Sequence, residues 1–304
     1  MKMLEWIASR ILRVIFLILP CLTSHIAKIA RGIFSIRVND EVTLKAGLGL
    51  HQLQHHPVCT KALTINIHLP IAVDLSLADY TQSSTFFSGL PPLCVTLMEH
   101  ASPRTLFFDI GANIGLVSAA MGQVVPHRAI HAFEANPSTF QSLLQNLKAN
   151  CPEASAHCVA LSDKEGFLTM SLIANDSGSS SVERDRFAGQ RKWHDQSIQV
   201  KQLEVPAVTL SHWVEQNLRD EWSAADQILM KIDVEGHELQ VLQGMQSLWT
   251  KSQQAALCVI ESENRNSALV RSMFESWGFE LHRPCWNAKL AEFPHHTDLV
   301  FRRR

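Results

Sequence analysis

None of the seven cysteines in this 304-residue chain stands at C-x-x-C spacing, and they are scattered and odd in number. A disulfide framework is not expected in a domain of this size, so the chain is assigned to a reducing, cytoplasmic compartment. No apolar run reaches the ~20 residues of a membrane span. The uncharged stretch 14–27 has 14 residues and includes Pro20, Ser24 and His25. Glycine (13) and proline (12) are too few and too aperiodic for a collagen-like chain. No internal repeat of roughly 20–50 residues is visible, which excludes a solenoid or propeller. An excess of one charge is also missing. The net charge is −2, so the body as a whole is not a nucleic-acid-binding surface. What is present is 46% apolar and 18% charged residues. That composition excludes a disordered chain or a coiled coil and supplies a full core.

The near-zero net charge hides an asymmetry. Residues 1–38 hold six basic residues against the single acid Glu5, a net of +5, so the remaining 266 residues carry −7. Lys2, Glu5, Ser9 and Arg13 recur at helical spacing, and Met3, Ile7, Ile11 and Ile15 fall on another face. Such a basic, amphipathic segment suits a helix lying in a membrane interface. A helix packed on the domain and a cleaved leader are the rival readings. His51, His55, His56 and Cys59 cluster loosely, but no second ligand pair follows at finger-like spacing. No resident metal is assigned.

From Thr105 onward the chain alternates strand and helix. Apolar strands are expected at 105–109, 129–133, 156–161, 228–232 and 255–260, with late strands at 279–281 and 299–301. Helices are expected over 115–124, 137–150, 238–249 and 267–277. This rhythm means an α/β fold with a doubly wound, mostly parallel sheet. Ligands then sit at the carboxyl ends of the strands, where strand order reverses. The polar segment 171–199 breaks the rhythm and reads as a functional loop or an insertion. Within it Arg186, Arg191 and Trp193 could hold a sugar ring or a phosphate.

Two motifs carry chemistry. In F-F-D-I-G-A-N-I-G (107–115), Gly111 and Gly115 allow close backbone approach where a strand becomes a helix, and Asp109 ends the strand. Glu134 ends the next strand, placed to hold both hydroxyls of an adenosine ribose. The glycines are spaced G-x-x-x-G rather than G-x-G-x-x-G, and a pyrophosphate would meet Asp109 as an obstacle. S-adenosyl-L-methionine has no phosphate and carries an ammonium and a sulfonium, so charge favours it over a nicotinamide dinucleotide. In M-K-I-D-V-E-G-H-E (230–238), Asp233, Glu235 and His237 converge at the end of a buried strand. They could take a hydroxyl proton, orient an acceptor or bind a metal. Glu261 and Asn264, at the end of the following strand, could complete an acceptor pocket.

The segments F-D-I-G-A-N-I-G (108–115), F-E-A-N-P (133–137), V-A-L-S-D (159–163) and K-I-D-V-E-G-H-E-L-Q-V-L-Q-G (231–244) resemble the FkbM-type methyltransferase family over about residues 104–282. The resemblance implies a class I, Rossmann-like methyltransferase domain, taken here as 104–304; before Thr105 no family motif is matched, and 39–103 is read as the N-terminal part of the domain or an acceptor cap and 1–38 as a helical extension. It implies S-adenosyl-L-methionine as donor and O-methylation of a sugar, glycolipid or natural-product hydroxyl. By motif, Asp109, Gly111, Asn113 and Gly115 would line the methionine part. Glu134 would hold the ribose, Ala160, Leu161 and Ser162 would flank the adenine, and the turn carrying Asp233, Glu235 and His237 would face the methyl group. A small-molecule or glycan acceptor, in some cases lipid-linked, is the expected partner. A non-catalytic cofactor-binding scaffold and a nicotinamide oxidoreductase are the alternatives.

Overall fold

A computed structural model describes residues 91–173, 176–182, 200–251, 254–263, 265–282 and 296–304. The expected N-terminal helix, the His51–Cys59 cluster, Arg186, Arg191, Trp193 and Asn264 lie outside the described residues.

Helix α1 (Pro92–Glu99) leads into β1 (Thr105–Ile110), followed by α2 (Leu116–Met121), β2 (Ile130–Phe133), α3 (Pro137–Asn150) and β3 (Ser155–His157). All six residues of β1 are buried. That is why T-L-F-F-D-I is a continuous apolar run broken only at its end, as a strand covered on both faces requires. Next come β4 (Ala160–Leu161), β5 (Gly166–Ile173), β6 (Asp176–Ser181) and β7 (Val200–Val208). The chain closes with α4 (Leu210–Asn217), α5 (Arg219–Ala224), β8 (Gln227–Ile232), α6 (Glu238–Lys251), β9 (Ala255–Glu263), α7 (Ser267–Ser276), β10 (Glu280–His282) and β11 (His296–Arg303).

Among the described residues the main sheet has seven strands in the order β10-β11-β9-β8-β1-β2-β3. The pairs β3–β2, β2–β1, β1–β8 and β8–β9 are parallel, and β11 runs antiparallel to β9 and β10. The chain builds outward from β1 to β2 and β3, then returns to lay β8 on the other flank of β1. The reversal point is therefore between β1 and β8, and both chemical motifs leave the sheet there.

The strand pleat sorts two cores. Leu106, Phe108 and Ile110 of β1 face Ile228, Met230 and Ile232 of β8 and the helices α4, α5, α6 and α7. Phe107 and Leu229 face the other way, toward Val117 and Ala120 of α2 and Leu143 and Leu147 of α3. Helices thus cover both faces. Among the described residues no helix is long and apolar enough to cross a membrane.

Two expectations are corrected. The strand expected at 156–161 is two: β3 joins the main sheet, while β4 pairs with β7 in a second sheet ordered β4-β7-β5-β6. The polar segment from Ser171 is not simply a loop, because β5 pairs antiparallel with β7 from Gly166 to Ile173 and with β6 from Ser171. These strands are half exposed, with Phe167 at 74% exposure, so their pattern lacks the apolar density that marks the central strands.

Gly244 shows how tightly this second sheet is seated. A Cβ there would lie 1.9 Å from the Ser162 carbonyl oxygen, so α6 crosses the chain just after β4 at backbone contact. In a free helix Gly→Ala gains about 1 kcal/mol. Here the overlap is with backbone and cannot be relieved by a rotamer. Gly244→Ala is expected to destabilise by about 1–3 kcal/mol net of that gain, read as a lower Tm. A variant as stable as the parent would contradict the close crossing.

Candidate active site

The turn after β1 is fixed before any ligand arrives. Gly111 has φ +73, and a Cβ on it would fall 1.9 Å from the Asp233 carbonyl oxygen. Only glycine lets the β1 and β8 turns approach this closely. Asp233 N donates to Ile110 O, and Gly111 N and Ala112 N both donate to Phe133 O, so three turns are tied together.

Asp109 is fully buried, and its Oδ2 accepts from Ser118 N at 3.0 Å and Ser118 Oγ at 2.7 Å. Its Oδ1 faces Lys231 Nζ at 3.6 Å, and Lys231 also reaches Asp233 Oδ2 at 3.5 Å and donates to Gly111 O. Burial pulls the Lys231 pKa down, but Asp233, Asp109 and Glu134 outweigh it and the net movement is up. One buried ammonium thus serves two carboxylates and a carbonyl of the β1 turn.

Glu134 ends β2 with both oxygens engaged: Oε2 accepts from Asn113 N at 2.9 Å and Oε1 from Asn136 N at 2.8 Å. Burial pushes its carboxyl up to about 7, against those two N–H groups and the charge of Lys231. Each oxygen keeps a second lone pair for a ligand hydroxyl. Asn113, at φ +50, is one of two non-glycine residues with positive φ among the described residues. Behind Glu134, Phe133 is clamped by His157 at 4.7 Å and Trp213 at 5.0 Å between ring centroids.

The other positive-φ residue is Glu235, at +56, followed by Gly236 at +102. Left-handed backbone at a non-glycine residue persists where its surroundings enforce it. Here Glu238 Oε1 accepts from Gly236 N at 2.9 Å, and Ser181 Oγ donates to Glu235 O at 2.6 Å. Glu238 braces the turn into α6. Carboxylate oxygens of Asp233, Glu235 and Glu261 lie within 4.8 Å of one another. The negative charge of Asp233, then burial and Glu235, drive the Glu261 carboxyl far up, and it hydrogen-bonds Asp233. Glu261 and Asp233 therefore titrate as a pair. Asp298, paired in register with Glu261 across β11 and β9, is raised to about 6 by burial and Asp233, against Lys231. This acid-rich mouth can receive a cationic organic group or, through Asp233, Glu235 and Glu261, a divalent cation.

The two turns open into a cleft of about 130 Å³ between the ends of β1, β2 and β8 and the β5–β6 strands. Of the residues expected at the site, Gly111, Asn113, Glu134, Ala160, Leu161, Asp233, Glu235 and His237 line it. Asp109, Gly115 and Ser162 do not form its wall. Asp109 is turned to Ser118 and Lys231, Gly115 is packed against Leu143, and Ser162 is fully buried behind His237. Sequence reasoning missed Lys231, Glu238 and the β5–β6 wall formed by Met170, Ser177, Gly178, Ser180 and Ser181. Burial lowers His237 to about 4, with Asp163 opposing, so its ring is neutral at neutral pH.

Residues 109–281, more than half of the chain, match the model of the Methyltransferase FkbM domain. Methyltransferase 1 from Beauveria bassiana (strain ARSEF 2860) is 26% identical over 189 residues, covering 59% of this chain and 74% of that protein. Methyltransferase sdnD from Sordaria araneosa is 30% identical over 154 residues, covering 45% of this chain and 59% of that protein. Among solved structures, the methyltransferase FkbM from Methylobacillus flagellatus KT aligns with a TM-score of 0.37 at 11% identity, covering 84% of this chain and 58% of that one. The present chain thus spans under two thirds of the second relative and of that solved chain.

Proposed function

The chain belongs to the FkbM methyltransferase family, and from that premise we propose that it moves the methyl group of S-adenosylmethionine to a hydroxyl of a sugar, glycolipid or natural product. The observation that carries this reading is the charge of the cleft. Glu134 stands at the end of β2, Asp233 and Glu235 follow β8, and the buried ammonium of Lys231 beside Asp233 is shared with Asp109. A phosphate-bearing cofactor would be repelled, whereas a sulfonium and an ammonium are matched.

The residues present fit the donor. Gly111 seats the β1 turn directly on the β8 turn at the cleft wall, Glu134 keeps acceptor capacity for two ribose hydroxyls, and Ala160 and Leu161 offer an apolar slot. When bound, S-adenosylmethionine supplies an electrophilic methyl group on a positively charged sulfur. The chain must hold the acceptor oxygen in line and remove its proton. Asp233, 3.5 Å from Lys231 and hydrogen-bonded to Glu261, is the group that receives that proton at a side-chain oxygen in this reading. Glu235, held in its left-handed turn, orients the acceptor. The basic, amphipathic pattern of residues 1–38 supports a contact with a membrane surface on the cytoplasmic side, which would bring a lipid-linked acceptor within reach.

Isothermal titration with S-adenosylhomocysteine is expected to give one-site binding. Incubation with methyl-labelled donor and a lysate split into lipid, glycan, small-molecule and protein fractions should label a non-protein fraction. Label confined to protein would overturn the acceptor class, and binding without any label would favour a cofactor-binding scaffold.

A further inference from the structure

His237 stands at the head of α6, and its Nε2 lies 2.9 Å from Ser162 Oγ. The same Ser162 Oγ lies 3.0 Å from Asp163 Oδ1. Ser162 has one proton to give, and it donates to this carboxylate oxygen. The proton therefore goes to Asp163, and Ser162 Oγ must accept from His237. That fixes the imidazole tautomer: Nε2 carries the hydrogen and Nδ1 is a bare lone pair. His237 is only 8% exposed, and among the described residues its Nδ1 is a buried atom with no hydrogen-bond partner. A buried acceptor left unmet is costly, and here it belongs to a residue lining the cleft.

The neighbours of His237 indicate what meets it. Its partner Ser162 directly follows β4, whose Ala160 and Leu161 line the cleft together with Val159, Met170 and Val182. This side of the cleft is apolar and suits a flat ring, whereas the carboxylates gather on the β8–β9 side. We propose that His237 Nδ1 accepts a hydrogen bond from the exocyclic amine of the donor's adenine, with Asp163 and Ser162 setting the tautomer that makes this possible. His237 then reads the base of the cofactor instead of taking the acceptor's proton. The assignment rests on the donor proposed above.

The test is binding of S-adenosylhomocysteine against S-inosylhomocysteine by titration calorimetry on the full chain. The inosine base replaces the amine with a keto oxygen, which would meet the Nδ1 lone pair as a second acceptor. The parent is expected to prefer the adenosine compound by roughly 10- to 100-fold. His237→Phe should reduce that preference to within about threefold. Ser162→Ala frees the imidazole to move its proton to Nδ1 and donate to the keto oxygen. Its preference should fall about tenfold or more, with the inosine compound gaining affinity. A residue that only supported the fold would weaken both ligands alike. Should His237→Phe fail to fold, Ser162→Ala decides. A parent without preference, or a preference unchanged in the folded variants, overturns the assignment. Failure of the parent to bind S-adenosylhomocysteine at all overturns the donor reading, and this assignment with it.

Discussion

Lys231→Met is expected to destabilise the protein by about 3–5 kcal/mol, the cost of removing one partner from a buried ion pair. Its side chain is 6% exposed and that of Asp109 is 0%. Methionine keeps the length and the apolar stem, so what disappears is the charge. Asp109 would keep its bonds from Ser118 N and Oγ but lose the only cation near Oδ1 among the described residues. Asp233, 37% exposed, can turn to solvent and should suffer less. In a chain of this size the loss corresponds to a Tm lower by on the order of 10 °C. The double variant Asp109→Asn, Lys231→Met removes both charges, leaves an amide oxygen to accept from Ser118, and should recover much of the deficit. A double-mutant cycle by thermal or urea denaturation would show a coupling of about 1–3 kcal/mol. A single variant within ~1 kcal/mol of the parent would mean that the Asp109–Lys231 pair contributes little to stability.

The same pair shows where sequence reading reached and where it stopped. The run T-L-F-F-D-I and the run Q-I-L-M-K-I read as buried central strands because only parallel strands covered on both faces tolerate such continuity. The glycine turn and the acid ending β2 were legible because their function depends on position along the strand. Which face a strand-end side chain takes depends on parity and register. Asp109 shares the parity of Phe107, which points at α2, so its carboxylate meets Ser118 and not the cleft. Lys231 shares the parity of Leu229 and sits directly opposite Asp109 in the β1–β8 register. Parity was available in the sequence, but the register was not, so the pairing could not be drawn. The link between Ser162 and His237 spans 75 residues and joins the end of β4 to the head of α6. It depends on the seating of α6 at Gly244, which no local pattern encodes. The half-exposed strands β5 to β7 escaped for the opposite reason: their polar composition is that of a loop, and only pairing makes them a wall.

Asp233→Asn is expected to lower the rate of methyl transfer by roughly 10²- to 10⁴-fold, the usual contribution of a positioned general base. Affinity for S-adenosylhomocysteine should stay within a few fold of the parent, since the backbone of the turn, which Gly111 approaches, is unchanged. The substitution is nearly isosteric and keeps an oxygen for Lys231, so circular dichroism and Tm should change little. It also removes the largest influence raising Glu261. The Glu261 pKa should then move down toward the ordinary carboxylate range, and this carboxyl becomes able to accept a proton close to the original one. Residual transfer in the variant should therefore be carried by Glu261 and vanish in Asp233→Asn, Glu261→Gln. An unchanged rate in Asp233→Asn would remove Asp233 from proton transfer. Chelation separates a second use of the same carboxylates, because three oxygens within 4.8 Å can also gather a divalent cation. If Asp233 works as a proton acceptor alone, the parent keeps its rate in excess chelator. If it works by holding a cation, chelator reproduces the loss seen in Asp233→Asn and added magnesium restores the parent but not the variant. Either outcome assigns the chemistry to the turn after β8, the point where strand order reverses and the acid-rich mouth opens.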